Sequence, residues 1–144
     1  MSTETERNKE LTRRWFAEVW NQRREATIDE LMSPEAIAHG LSPGAGGPLK
    51  GPAAFRIFWN QFGGAFPDMN ITVEDLVAEG DRVAARIRFT GTHQGHHLGA
   101  APTGKRIIGT GITLCRWENG QIVDGWNEFD ALGVFLATGV AKLT

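Results

Sequence analysis

The feature that most restricts this fold is a change of period near residue 66. Before it, large apolar residues recur at helical spacing; after it, they alternate. Leu11, Trp15 and Val19, with Phe16 and Trp20 beside them, predict an amphipathic helix over residues 5–21. Thr27 is expected to cap a short second helix carrying Ile28, Leu31 and Met32, with Ser33-Pro34 stopping it. "AIAHG" reads as a short strand, and the Gly- and Pro-rich residues 40–52 as loop. Pro52 suits the first turn of a third helix, which carries Phe55, Phe58, Trp59 and Phe62 and ends at Gly63-Gly64.

From residue 70 the pattern is that of strands. Residues 70–93 read as two strands joined at Glu79-Gly80-Asp81. Residues 106–130 read as two more, joined at Asn119-Gly120, a pair that favours a two-residue type I′ turn. Residues 94–104 are loop, and "ALGVFLATG" closes the chain as a short helix with Gly139 as its cap. Helices followed by antiparallel strands mean an α+β domain spanning residues 1–144, its curved sheet covered on one face by the helices.

The Asn-Gly turn supplies a register. Counting outward, Glu118 faces Gln121, Trp117 faces Ile122, Thr113 faces Trp126, Gly111 faces Glu128 and Gly109 faces Asp130. Unbroken alternation puts Ile122, Asp124, Trp126, Glu128 and Asp130 on one face. Small residues opposite an acid leave space above it, as on the floor of a cavity. On the neighbouring strand Val83, Ala85, Ile87 and Phe89 share the face toward the helices, ending at Gly91 and His93. Arg86, Arg88, Thr90 and Thr92 share the other, which is either solvated or buried between subunits. Rings from the helices, Trp15, Phe16, Trp59 and Phe62, would roof the cavity. A carboxylate in such a place loses water and its pKa rises, which suits a group that takes and returns a proton near neutrality.

Composition excludes several classes. The net charge is −2 with no basic stripe, which argues against nucleic acid as partner. No apolar run approaches a membrane span, and the polar start "MSTETERNKE" is no signal peptide, so a cytoplasmic protein is expected. The single Cys115 excludes internal disulfides and cysteine metal clusters. His96-His97 point apart and lack a third ligand, so no metal site is expected. "GAGG" at 44–47 lacks the lysine and the preceding strand of a phosphate loop.

"FPDMNITVEDLVAEGDRVAARIRFTGTHQG", "PTGKRI" and "GQIVDGWNEFDALGVF" together resemble the SnoaL-like polyketide cyclase family, within the nuclear-transport-factor-2-like superfamily. The resemblance runs from about residue 5 to 139. It implies a cone-shaped α+β barrel with a deep pocket, catalysis without metal or organic cofactor, and a homodimer formed through the outer sheet face. It also implies aspartate acid/base catalysis of an intramolecular aldol ring closure. Trp126-x-x-x-Asp130 identifies Asp130 as the matching residue. The family's pocket histidine in the preceding strand has no counterpart between residues 105 and 118; Arg116 sits near that place, on the opposite face in the register above.

These readings make Asp130, His39 and His93 the candidate catalytic residues. Trp15, Phe16, Trp59, Phe62, Trp126, Glu128 and Gly111 are the candidate contacts to a hydrophobic, carbonyl-bearing small molecule. Each has a plainer reading. Asp130 is also a favoured cap for a helix starting at Ala131, Glu128 a solvated acid at a strand end, and the histidines hydrogen-bonded structure. An epoxide hydrolase or ketosteroid isomerase on the same scaffold is an alternative, although no Asp-Arg-Asp order and no Tyr is present. A non-catalytic ligand-binding dimer is another.

Overall fold

The computed structural model describes residues 3–41 and 47–144. A capping box opens helix α1 (Glu4–Arg14): the Glu6 N–H donates to the Thr3 hydroxyl and the Thr3 N–H to the Glu6 carboxylate. The helix then widens into a π-helical segment, Trp15–Asn21. The wider turn has a physical basis in the sequence. Trp15, Phe16, Val19 and Trp20 form two pairs four residues apart, and about 4.4 residues per turn brings all four to one side, where all are buried. Helix α2 (Glu25–Leu31) begins after Arg24, not at the expected cap Thr27, whose hydroxyl instead donates to Glu18 at 2.7 Å.

Met32 belongs to a strand rather than to that helix. Strand β1 (Met32–His39) is longer than expected and contains Pro34. Its pairing with β6 is interrupted between Met32 and Ile37, so the missing proline N–H falls where the ladder is already broken. Strand β2 is two residues, Leu49–Lys50, within the stretch expected as loop; residues 42–46 of that stretch, with most of "GAGG", lie outside the described residues. Helix α3 (Gly51–Ala65) carries Pro52 in its first turn. Strands β3 (Asn70–Glu79), β4 (Arg82–Thr92), β5 (Arg106–Glu118) and β6 (Gln121–Phe129) follow, then α4 (Ala131–Thr138) with Gly139 left-handed at its end.

The six strands form one mixed sheet in the order β2-β1-β6-β5-β4-β3, parallel only between β1 and β6, and not closed into a full barrel. The helices pack on its inner face over one continuous core that includes Trp15, Trp20, Phe55, Trp59, Phe66 and Trp117. At the β3 edge the Asn21 side chain imitates a neighbouring strand. Its amide nitrogen donates to the Ile71 carbonyl at 2.9 Å, and its oxygen accepts from the Ile71 N–H at 2.7 Å.

The Asn119-Gly120 turn has positive φ at both residues, 52° and 78°, as a type I′ turn requires. Glu118 pairs with Gln121 and Trp117 with Ile122, but the register then slips by one residue at Val123. Arg116 faces Asp124, Leu114 faces Trp126, Thr113 faces Asn127, Ile112 faces Glu128 and Gly111 faces Phe129. An unbroken count would set Asp124 against buried Cys115 without a cation. The bulge sets it against Arg116, whose Nη2 lies 3.0 Å from the carboxylate.

Candidate functional site

The bulge decides what the sheet offers to the interior. Beyond Val123 the inward residues are Gly125, Asn127 and Phe129, while Asp124, Trp126 and Glu128 turn to the outer face, reversing the expected assignment. Beside them β5 presents Gly109, Thr113 and Cys115, and β4 presents Ile87 and Phe89. Ala36 and Ala38 complete this wall from β1. Glycines and alanines leave depth, and the helices roof it with Trp15, Phe16, Trp20, Phe55, Phe58 and Phe62. The result is a half-enclosed apolar chamber of about 130 Å³, a volume on the scale of one aromatic ring.

Trp15, Phe16 and Phe62 line the chamber as expected. Trp59 does not. Its indole N–H donates to the Val19 carbonyl at 2.9 Å, and the Arg23 guanidinium lies 3.7 Å above its ring, so it fixes α3 to the π-helical segment. Gly111 lies outside the lining as well, because the Phe129 side chain and the Glu128 carbonyl occupy the space where a Cβ would stand. Trp126 is on the outer face, stacked on His39 with ring centroids 5.3 Å apart. Glu128 is exposed at the chamber's rim.

Asp130 is exposed and begins α4. Its carboxylate accepts the Gly133 N–H at 2.9 Å, and its own N–H donates to the carbonyl of Thr110, a lining residue, at 3.0 Å. Phe129 before it and Val134 after it both line the chamber, but Asp130 itself is exposed and outside the lining, not on a dry floor. The burial foreseen for this carboxylate is therefore corrected. The bulge turns the strand by one residue, and the helix cap holds the side chain outside.

His39 also sits on the outer face, where its Nε2 lies 3.7 Å from Asp124; it does not line the chamber. His93 is fully buried below the 94–104 loop. Its Nδ1 accepts the Thr103 N–H at 3.2 Å, while Nε2 has no partner among the described residues. The elements that carried the family resemblance interlock here. Asp68 of Phe-Pro-Asp accepts the N–H and the hydroxyl of Thr92 of Gly-Thr-His, both at 2.7 Å, and Thr103 of Pro-Thr-Gly-Lys bonds the His93 that follows. Much of that motif set thus ties the turn after α3 and the 94–104 loop to the end of β4.

The chamber residues missed from sequence include Trp20, Phe55, Phe58, Thr113 and Asn127. The aromatic ones had a signal in their helical spacing. Thr113 and Asn127 face each other across β5 and β6, a pairing visible only once the slip at Val123 is known. Asn127 is fixed by donation to the His39 carbonyl at 2.9 Å. Cys115 is buried, which pushes its thiol up to about 12. Among the described residues no group of three His, Cys, Asp or Glu is placed to hold a metal, and no helix is long and apolar enough to cross a membrane.

The family pattern described as SnoaL-like polyketide cyclase matches residues 10–137. No curated protein matches the chain. Among solved structures, it is similar to a protein of Jannaschia sp. CCS1 provisionally named a SnoaL-like polyketide cyclase, at 26% identity and a TM-score of 0.86, covering 99% of this chain and 98% of that one. IdmH of Streptomyces antibioticus, provisionally a polyketide cyclase, matches at 29% identity and a TM-score of 0.77 over 93% of this chain and 99% of its own. AclR of Streptomyces galilaeus, provisionally a hydroxylase, matches at 26% identity and a TM-score of 0.80 over 95% and 83%.

Proposed function

The chain belongs to the SnoaL-like polyketide cyclase family, and from that premise we propose that it is an acid/base enzyme acting on a hydrophobic, carbonyl-bearing small molecule by aldol-type ring closure. One observation carries the reading: an exposed carboxylate, Asp130, lies in the chain between Phe129 and Val134, two lining residues of a largely apolar, half-enclosed chamber. A ligand whose ring enters the chamber leaves its reacting carbons at the mouth. Asp130 takes the proton from the carbon alpha to a carbonyl, the resulting enolate attacks a second carbonyl of the same molecule, and the acid returns the proton to the new alkoxide. Substrate lying across the mouth excludes water from Asp130 while the proton is transferred. His39 and His93 are assigned no proton transfer in this scheme.

The test is conversion of anthraquinone-type precursors and, in parallel, of aromatic epoxides, followed by mass spectrometry. Ring closure by aldol addition gives a product of unchanged mass. Epoxide hydrolysis adds one water and would transfer the reading to that alternative. Tight binding with no conversion of either class would leave a ligand-binding module.

A second copy of the chain is the proposed partner of the outer sheet face. Ile108 and Ile112 are 54% and 55% exposed there, Val77 is 67% exposed, and rows of opposite charge such as Asp75–Arg86 flank them.

A further inference from the structure

Thr113 is the one feature of the chamber that packing does not explain. It is 7% exposed, it faces inward from the middle of β5, and its hydroxyl has no hydrogen-bond partner among the described residues. Its neighbours in the ladder are Ala85 and Asn127. The Asn127 amide nitrogen donates to the His39 carbonyl, and Asn127 makes no hydrogen bond to Thr113. A valine would fill the same space without a buried, unpaired hydroxyl, which is among the costlier things a core can hold. A threonine that is structurally worse than its isostere, aimed into a cavity, points to a group that arrives from outside.

We infer that Thr113 reads a single neutral oxygen on the part of the ligand that enters the chamber, and that this part is one ring bearing a carbonyl. The volume of about 130 Å³ admits one ring and little more. The lining contains no Lys, Arg or His, so nothing there compensates a carboxylate or phosphate. Exposed Glu128 at the rim repels an anion before it enters. Apart from Thr110, Asn127, Cys115 and rim Glu128, the rest of the lining is aromatic, aliphatic or glycine, so the ligand's deep end is largely apolar around the point that meets Thr113. This inference deepens the proposed function and shares with it only the premise that the chamber is where the ligand sits.

The probes are acetophenone and α-methylstyrene, which have nearly the same shape and differ in a carbonyl oxygen against a methylene. Binding is read by titration calorimetry and by quenching of the indoles of Trp15 and Trp20. The native chain is expected to prefer acetophenone by about 3- to 10-fold, the range of one neutral hydrogen bond. Thr113→Val should bring the two probes within about twofold, chiefly by weakening acetophenone, while Thr113→Ser keeps the preference. Because the hydroxyl has no partner in the empty chain, Thr113→Val should also melt a few degrees higher. An unchanged preference in Thr113→Val overturns the inference, as does a lowered melting temperature, which would make the hydroxyl structural. If neither probe binds the native chain, the chamber premise fails and the proposed function with it. Retained turnover in Asp130→Asn would remove the proposed function alone, since the probe preference needs no acid.

Discussion

Arg116 reaches across the β5–β6 ladder to Asp124, with its Nη2 3.0 Å from the carboxylate and its Nε 3.3 Å away. Burial is partial on both sides, and Asp81 and Glu118 also lie within 4 Å of the guanidinium. The pairing exists because one extra residue, Val123, is spent in β6. That residue turns Asn127 inward and Trp126 outward. Deleting Val123 would reverse the facing of every later residue in the strand, and the expected outcome is loss of the cooperative thermal transition monitored by circular dichroism.

Asp130→Asn separates capping from chemistry. Asparagine caps helices about as well as aspartate, so the melting temperature should hold within about 2 °C. Turnover on a converted substrate should fall by about two to four orders of magnitude. Asp130→Ala removes the Gly133 contact as well and should lower stability by roughly 0.5–2 kcal/mol in chemical denaturation.

Gly125 is a buried strand glycine on the chamber wall, and the nearest atom to an added Cβ would be the Asn127 amide nitrogen at 4.0 Å. Its φ is not positive, so alanine fits the backbone. Gly125→Ala is expected to stabilise the chain by about 0.4–1 kcal/mol and to weaken binding of a ring-sized ligand. A gain in stability with unchanged binding would show that the ligand does not touch this wall.

Acid should loosen the contact between Asp68 and Thr92. The Thr92 N–H and hydroxyl hold the Asp68 carboxyl below its usual range. A carboxylate depressed in the folded state contributes stability that is present above its unfolded pKa, about 3.9, and is lost as pH falls through the folded value. Asp68→Asn should therefore lower the melting temperature at pH 7 and flatten its decline below about pH 4. Equal slopes for the two proteins would refute this.

Cys115 should be silent toward thiol reagents in the native protein. Burial leaves almost no thiolate at pH 8 when the pKa stands near 12. Ellman's reagent should report the thiol only after denaturant is added.

The proposed dimer has its own check. Ile112→Glu places a charge in the exposed apolar stretch of the outer face, and sedimentation velocity at micromolar concentration should shift from dimer to monomer.

Periodicity made the helices and the four long strands legible, because burial of one face imposes it directly. Val83, Ala85, Ile87 and Phe89 face the core as their alternation requires. The register was legible for two pairs beyond Asn119-Gly120 and then lost, because a bulge answers to a cross-strand charge that a count of positions ignores. Strand β1 was read too short because Pro34 resembles a helix stop, and it is one; the strand simply starts before it. The site followed the register. Three of the expected roof rings line the chamber, while Trp126 and Gly111 were displaced by the slip, and Trp59 by its own hydrogen bond to Val19. Thr113 carried no signal at all, since a threonine in a strand is unremarkable until its hydroxyl is seen to be bare.

The two bonds between the Asn21 amide and Ile71 have a bearing on how copies of this chain can meet. Edge-on recruitment needs free peptide groups at the sheet's border; the Asn21 side chain occupies those of Ile71 near the start of β3, and the opposite border is a strand of two residues. Both features narrow the template for edge-on growth and favour broad-side contact between copies, of the kind that closes on itself.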